Sequence, residues 1–227
     1  PELHVKAMTA AEIDFLSRHY GLSYDEVIEK MLEYGVDSMP GGGAEIFDEE
    51  VRAKICKGKV SSENWLKIHK MWHDKGRQSN ATMLFGHIES RENRIDHMLR
   101  IRDLQDETGG FNAFIPLVYQ RENNYLKDIK FLGSADILKT MAISRLVLDI
   151  VPHIKAYWAT STLNLAMIAQ EFGADDLDGT IEKESIQSAA GANSANGVTL
   201  KTFCDLIKTS GFTPVERDSL YNELKIY

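Results

Sequence analysis

An α/β fold on a parallel sheet, followed by a helical C-terminal tail, is what the sequence predicts. Short apolar runs alternate with amphipathic stretches of helical spacing. Capping residues and glycines fall at the joints between the two kinds of segment. The composition is ordinary for a soluble globular chain: 227 residues, 43% hydrophobic, 26% charged, formal net charge −8.

The elements follow in order. Leu3–Met8 reads as a strand. A helix starts near Ala10, and a second follows Ser23, where Glu26 completes a capping box. Val36–Met39 is a short strand that ends in Pro40-Gly41-Gly42-Gly43. Asp48–Ile55 is helical. So is Ser61–Asp74, with Gly76 as its C-terminal stop. Asn80–Phe85 is a strand. Arg91–Thr108 is a periodic helix with Ile95, Leu99 and Leu104 near one face. Phe111–Tyr119 is a strand and Ser134–Ile150 a helix. His153–Thr160 is a strand, Thr162–Phe172 a helix stopped by Gly173, and Leu177–Ile181 a last short strand. The tail, 183–227, is read as helical around Ser194–Gly197.

Six such βα units fall short of the eight units and ~250 residues of a (β/α)8 barrel, so the pattern predicts a barrel lacking its first quarter. Residues 1–182 form the partial barrel and 183–227 the extension. The start at Pro1, in mid-element, points to a processed chain or a fragment. No GxGxxG follows the first strand, which leaves a dinucleotide-binding sheet without support. The acidic balance argues against nucleic acid. No apolar run approaches a membrane span and no signal-peptide pattern opens the chain. Cys56 and Cys204 form neither a disulfide framework nor a CxxC pair. A cytoplasmic location is expected.

Candidate functional residues fall after strands, where parallel α/β folds bind ligands. In Pro40–Glu45 the glycines permit close backbone approach, and Glu45 offers a carboxylate to a hydroxyl or ammonium; a turn with an exposed Glu fits equally. His87 and Glu89 fit a metal or acid/base pair, or a helix N-terminus. Asp175, Asp176 and Asp178 fit a cation loop, although without EF-hand spacing, or hydrogen-bonding turns. In His153–Trp158, Lys155 and Tyr157 share one face and Ile154, Ala156 and Trp158 the other; a buried Lys155 would need an anionic partner. His69 and His73 lie at i, i+4 without an HExxH glutamate.

Together Lys6–Ala10, Pro40–Phe47, Asn80–Glu89, Phe111–Leu117, His153–Trp158, Gly173–Thr180 and Gly211–Tyr221 resemble the aminofutalosine synthases. These are radical S-adenosylmethionine (SAM) enzymes of the futalosine route to menaquinone. Two relatives share the Gly-His-x-Glu stretch: the dehypoxanthine futalosine cyclase and the deazaflavin-chromophore synthase. His153–Trp158 and Asp175–Thr180 favour the first family over both.

The resemblance implies a partial TIM-type radical SAM barrel with two cofactors, SAM and a [4Fe-4S] cluster. It implies addition of a 5′-deoxyadenosyl radical to 3-[(1-carboxyvinyl)oxy]benzoate, giving 6-amino-6-deoxyfutalosine. Gly42, Gly43, Glu45, Gly86 and Glu89 are then the SAM residues, and His87, Lys155 and Asp178 the substrate residues. The family's CxxxCxxC is missing here and is expected upstream of Pro1, so this chain alone is expected to be inactive. The family's GxIxGxxE is met only at Gly86 and Glu89, with Thr82 and Leu84 replacing its first Gly and its Ile. Other classes remain open at this point: a metal-dependent barrel hydrolase or lyase using His87, Glu89 and Asp175 or Asp176, and a non-catalytic binding module. Two open edges, Leu3–Met8 and Leu177–Ile181, are expected to be covered by the tail, by another copy or, preferably, by an upstream segment.

Overall fold

A computed structural model describes residues 3–126, 128–181, 185–191 and 197–227. Four strands lie side by side in sequence order: β1 (Ser38–Met39), β2 (Gln78–Phe85), β3 (Phe111–Val118) and β4 (His153–Ile154). β1 and β2 run parallel, with Ser38 opposite Gln78 and Met39 opposite Ser79. Helices α1 (Ala10–Tyr20) and α2 (Tyr24–Glu33) precede β1. α3 (Glu49–Ile55) and α4 (Ser62–Asp74) join β1 to β2, α5 (Arg91–Thr108) joins β2 to β3, and α6 (Ser134–Val147) joins β3 to β4. Helical crossovers between neighbouring strands are what a parallel sheet requires.

Both expected edge strands are reduced to single bridges. Leu3–Met8 touches β1 through one parallel bridge, Lys6 to Ser38. At the other end Lys155 bridges in parallel to Asp176, while 177–181 is irregular, with left-handed Asp178 (φ 64°) and Ile181 (φ 42°). Among the described residues the sheet thus comprises four strands, with one bridged segment at each end. His153–Thr160 is not one strand. The chain leaves the sheet after β4 and turns into α7 (Trp158–Ser161), whose Tyr157 carbonyl receives the Thr160 N–H at 3.2 Å. α8 (Leu163–Ala169) and a 3-10 turn (Gln170–Phe172) then reach left-handed Gly173.

The helices keep their predicted starts. Ser23 and Glu26 form the capping box of α2, Asp48 caps α3 and Ser61 caps α4. The face of α5 is not the one read from Ile95 and Leu99. Leu99 is exposed, and the buried stripe is His97, Met98, Ile101, Leu104 and Gln105. Two polar residues sit in it because each finds a backbone partner: His97 Nε2 the Thr82 carbonyl at 2.9 Å, and Gln105 Nε2 the Phe111 carbonyl at 3.0 Å.

The chain divides into two compact units, Pro1–Ile115 with Leu146–His153, and Pro116–Arg145 with Ile154–Tyr227. The first is organised around Phe47, Trp65, Trp72, Phe85 and Phe111, all essentially fully buried. Phe47 stacks on His97 at 3.9 Å and Trp65 on His69 at 3.7 Å. In the second unit Trp158 is buried and its indole N–H donates to the Gly179 carbonyl at 2.8 Å. The tail carries α9 (Ile186–Ala189) and α10 (Leu200–Thr209). It then departs from the helical expectation with an antiparallel hairpin, β5 (Val215–Arg217) with β6 (Glu223–Ile226). The expected boundary at 182–183 and the helix around Ser194–Gly197 fall on or against residues outside the described set.

Candidate functional site

The loop after β1 is tighter than a flexible turn. A Cβ on Gly41 would lie 2.7 Å from the Asn80 carbonyl oxygen, and one on Gly42 would lie 2.9 Å from Thr9 Cγ2. Gly43 has φ +87°, a conformation that L side chains rarely adopt. The close approach these glycines permit is to the protein's own β2 and the start of α1. Thr82 Oγ1 donates to the Gly41 carbonyl at 2.7 Å, and Trp65 Nε1 to that of Gly42 at 3.2 Å.

Arg52 holds the rest of the loop. It projects from α3, is buried, and spreads its guanidinium over four carbonyls. Nη1 donates to Ala44 and to Ile46 at 3.0 Å, and Nη2 to Gly43 at 3.1 Å and to Val60. No motif announces this residue, because its partners are backbone atoms.

Glu45 is thereby presented in a left-handed conformation, φ 46°. Its carbonyl accepts from Leu84 N at 2.7 Å, which ties the loop to the end of β2. Its carboxylate meets Lys59 Nζ at 2.6 Å, and the ammonium is half-exposed. A non-Gly residue in this region stores strain, a frequent mark of functional loops. The Glu45 carboxylate pairs with a half-exposed ammonium, a partner it can exchange.

The second loop, after β2, is closed on itself. Glu89 accepts from Gly86 N at 2.7 Å, His87 N at 2.8 Å and Arg94 Nε at 2.7 Å, and its side chain is fully buried. Burial alone would raise the Glu89 carboxyl. The hydrogen bond and charge of His87, the Gly86 N–H and the Arg94 guanidinium outweigh that and hold it at about 2. His87 is equally enclosed: Nε2 faces the Leu84 carbonyl at 2.9 Å and Nδ1 faces Ile88 N at 2.8 Å. A carbonyl only accepts, so Nε2 carries a proton. Nδ1 also lies 3.0 Å from Glu89 Oε2. Both side chains thus shape the loop from within.

In the second unit, Lys155 is buried and has the anionic partners that burial demands. Its Nζ bonds Asp178 and lies 3.7 Å from Asp176 Oδ2. Arg217 from β5 donates to the same Asp176 Oδ2 at 2.5 Å, and its guanidinium lies 4.0 Å from the Tyr221 ring centroid. Burial raises the Asp176 carboxyl, but Lys155 and Arg217 more than offset it and leave it ionised below the usual carboxylate range. Asp175 accepts from Ile154 N at 2.8 Å and from Arg145 Nη2 at 2.8 Å. All three aspartates serve cations and backbone N–H groups of this chain. The partner of Asp176, Arg217, lies far along the sequence, in a segment that shows family likeness and no local chemistry.

His69 and His73 share Ser79 Oγ, at 2.8 and 2.7 Å, and His73 Nδ1 also meets Thr108 Oγ1 at 2.8 Å. They are core histidines. Among the described residues no three His, Cys, Asp or Glu side chains converge as a metal site. Cys204 is buried, and burial pushes the Cys56 thiol up. Two cysteines do not supply the three thiolates of the expected motif, so the residues present do not fit an iron–sulfur cluster. The Glu45 loop does fit part of SAM: a carboxylate on an exchangeable partner suits an ammonium or ribose hydroxyl. No described helix is long and apolar enough to cross a membrane.

Comparison with known proteins matches residues 4–101 to the radical SAM superfamily and residues 108–227 to the CofH/MqnC C-terminal region. The aminodeoxyfutalosine synthase of Thermus thermophilus is 48% identical over 100% of this chain and 62% of its own length. That of Streptomyces coelicolor is 42% identical, again over 100% of this chain and 62% of its own length. The cyclic dehypoxanthine futalosine synthase of Streptomyces coelicolor is 37% identical over 100% of this chain and 56% of its own length. The chain therefore spans about six-tenths of the length of these relatives. Among solved structures, methylornithine synthase superposes with a TM-score of 0.68 at 14% identity, covering 91% of this chain and 63% of that one. At that identity the likeness speaks for the fold alone, a partial TIM-type barrel.

Proposed function

The chain belongs to the radical SAM superfamily with a CofH/MqnC-type C-terminal region, and from that premise we propose that it is part of an aminodeoxyfutalosine synthase. Identity carries this reading: 48% to one such synthase along the whole chain, against 37% to the cyclic dehypoxanthine futalosine synthase. The reaction we propose breaks the S–C5′ bond of SAM, with methionine leaving, and adds the 5′-deoxyadenosyl group to the vinyl carbon of 3-[(1-carboxyvinyl)oxy]benzoate. Rearrangement and loss of one carboxyl group as bicarbonate then form 6-amino-6-deoxyfutalosine. SAM, when bound, supplies the 5′-deoxyadenosyl group; the cluster ligands are not among this chain's residues.

This chain's contribution is binding and orientation. The Glu45 carboxylate leaves Lys59 for an ammonium or hydroxyl of SAM. The backbone at Gly42, Gly43 and Gly86 lines the same loops, and Glu89 and His87 fix the shape of the second. Lys155, with Asp178 beside it, receives a carboxylate of the substrate. We further propose that residues 1–182 are the partial barrel and 183–227 its extension, that a further segment completes the sheet, and that the protein acts in the cytoplasm.

Product analysis of the complete gene product, reconstituted with iron and sulfide, tests the reaction. SAM and the carboxyvinyl ether should give aminodeoxyfutalosine. Turnover of dehypoxanthine futalosine instead, with none of the carboxyvinyl ether, would overturn the assignment.

A further inference from the structure

Two carboxylates compete for the Lys155 ammonium, and they are held in different ways. Asp176 is buried and fully committed: Oδ1 accepts from Asp178 N at 2.8 Å, and Oδ2 from Arg217 Nη2 at 2.5 Å. Its Oδ2 stays 3.7 Å from Lys155 Nζ. Asp178 makes the direct bond to Lys155, yet its side chain is 32% exposed and its backbone is left-handed, φ 64°. Lys155 itself is only 7% exposed, so its charge favours an anion over water as a partner.

We infer that Asp178 is a displaceable stand-in for a ligand carboxylate on Lys155, and that Arg217 of the C-terminal hairpin is the positioning residue that makes the exchange possible. This deepens the proposed substrate role of Lys155 and rests on it. The charge arithmetic favours a swap. Lys155 and Arg217 offset Asp176 and Asp178. When Asp178 turns into water and a ligand carboxylate takes its place, the local sum is unchanged and no buried charge is left unpaired. Arg217 matters because it draws Asp176 Oδ2 away from Lys155, together with the Tyr221 side chain that bonds the same carboxylate. By keeping Asp176 Oδ2 on its own guanidinium, which Tyr221 backs, Arg217 leaves the ammonium with one fixed, distant neighbour and one exchangeable one. The ligand class is a carboxylate on a body small enough to reach a side chain that lies almost wholly inside; an aryl carboxylate is of that kind.

Isophthalate serves as the probe, titrated calorimetrically into the protein and its variants, with a thermal melt run on each. Asp178→Asn removes the competing charge at an exposed position and should tighten binding about tenfold. Arg217→Gln should weaken it by about tenfold or more, and Arg217→Lys should restore part of the loss, a rescue that a general loss of folding would not show. If Lys155→Met leaves binding unchanged, the proposed role of Lys155 fails and this inference with it. Should Lys155→Met abolish binding while Asp178→Asn weakens it or leaves it unchanged, the exchange alone is overturned. A folded Arg217→Gln with wild-type affinity overturns the positioning role.

Discussion

Replacing Arg52 by methionine keeps an unbranched apolar stem and removes the five N–H donors of the guanidinium. Four carbonyls, those of Gly43, Ala44, Ile46 and Val60, then lose their partner inside a buried loop. A buried acceptor left unpaired costs about 1–3 kcal/mol. Four of them would sum to more than the whole is worth, because the loop relaxes and water reaches its exposed side. Breaking a buried charged network typically costs about 3–5 kcal/mol, and that is the expected loss here. Against a total stability of roughly 5–15 kcal/mol this is about a fifth or more. With a urea slope of about 2–3 kcal/mol/M, the unfolding midpoint should fall by more than about 1 M. Arg52→Lys should recover only part, since an ammonium cannot reach carbonyls on two sides at once. A methionine variant whose midpoint stays within about 0.2 M of wild type would refute the claim that this guanidinium holds the loop.

Further outcomes follow from the same geometry. The unpartnered position of Glu45 outside its ion pair predicts that Glu45→Gln weakens SAM binding about tenfold or more without moving the melting temperature, measured by calorimetry on the complete protein; a shift in melting with unchanged affinity would reverse the role. Burial holds His73 at about 4 and His97 at about 3, well under the ordinary value of 6.5. These groups bind fewer protons folded than unfolded. Their contribution is therefore complete above pH ~6.5 and is lost as pH falls toward the folded values, by about 2 kcal/mol per histidine at pH 5. Denaturant midpoints at pH 7 and pH 5 measure this, and equal midpoints would contradict it. Glu89 acts in a lower window, stabilising above the ordinary carboxylate pKa and losing that contribution below it toward about 2. Glu89→Gln should accordingly destabilise at pH 7 and become neutral near pH 2, read from the same melts. Gly41→Ala, with its new methyl 2.7 Å from a carbonyl oxygen, should cost about 1–3 kcal/mol on thermal unfolding.

Much of the fold is legible because caps are local. The Ser23–Glu26 box and the stops at Gly76 and Gly109 need only neighbouring residues, and the helices begin and end there. The misread segments are those where periodicity is ambiguous or overruled. His153–Thr160 alternates like a strand, but the pairing ends with the single Lys155 bridge and the chain turns into a helix at Trp158. On α5 the apolar Leu99 faces water, because His97 and Gln105 satisfy backbone groups and take the buried face. The candidate site was legible as two glycine-containing loops with carboxylates. Which carboxylate can change partners was not, since Glu45 and Glu89 look alike in sequence and differ only in who surrounds them. Arg52 and Arg217 were invisible for a related reason: one binds backbone atoms, and the other binds a residue distant along the chain.

The most direct measurement is a crystal structure of the complete gene product with SAM. It should place the Glu45 carboxylate within hydrogen-bond distance of a SAM ammonium or ribose hydroxyl, released from Lys59, with Glu89 still bonded to the Gly86 and His87 amides. A structure with SAM bound elsewhere, and Glu45 still paired to Lys59, would contradict the assignment of these strand-end loops as the SAM-facing surface.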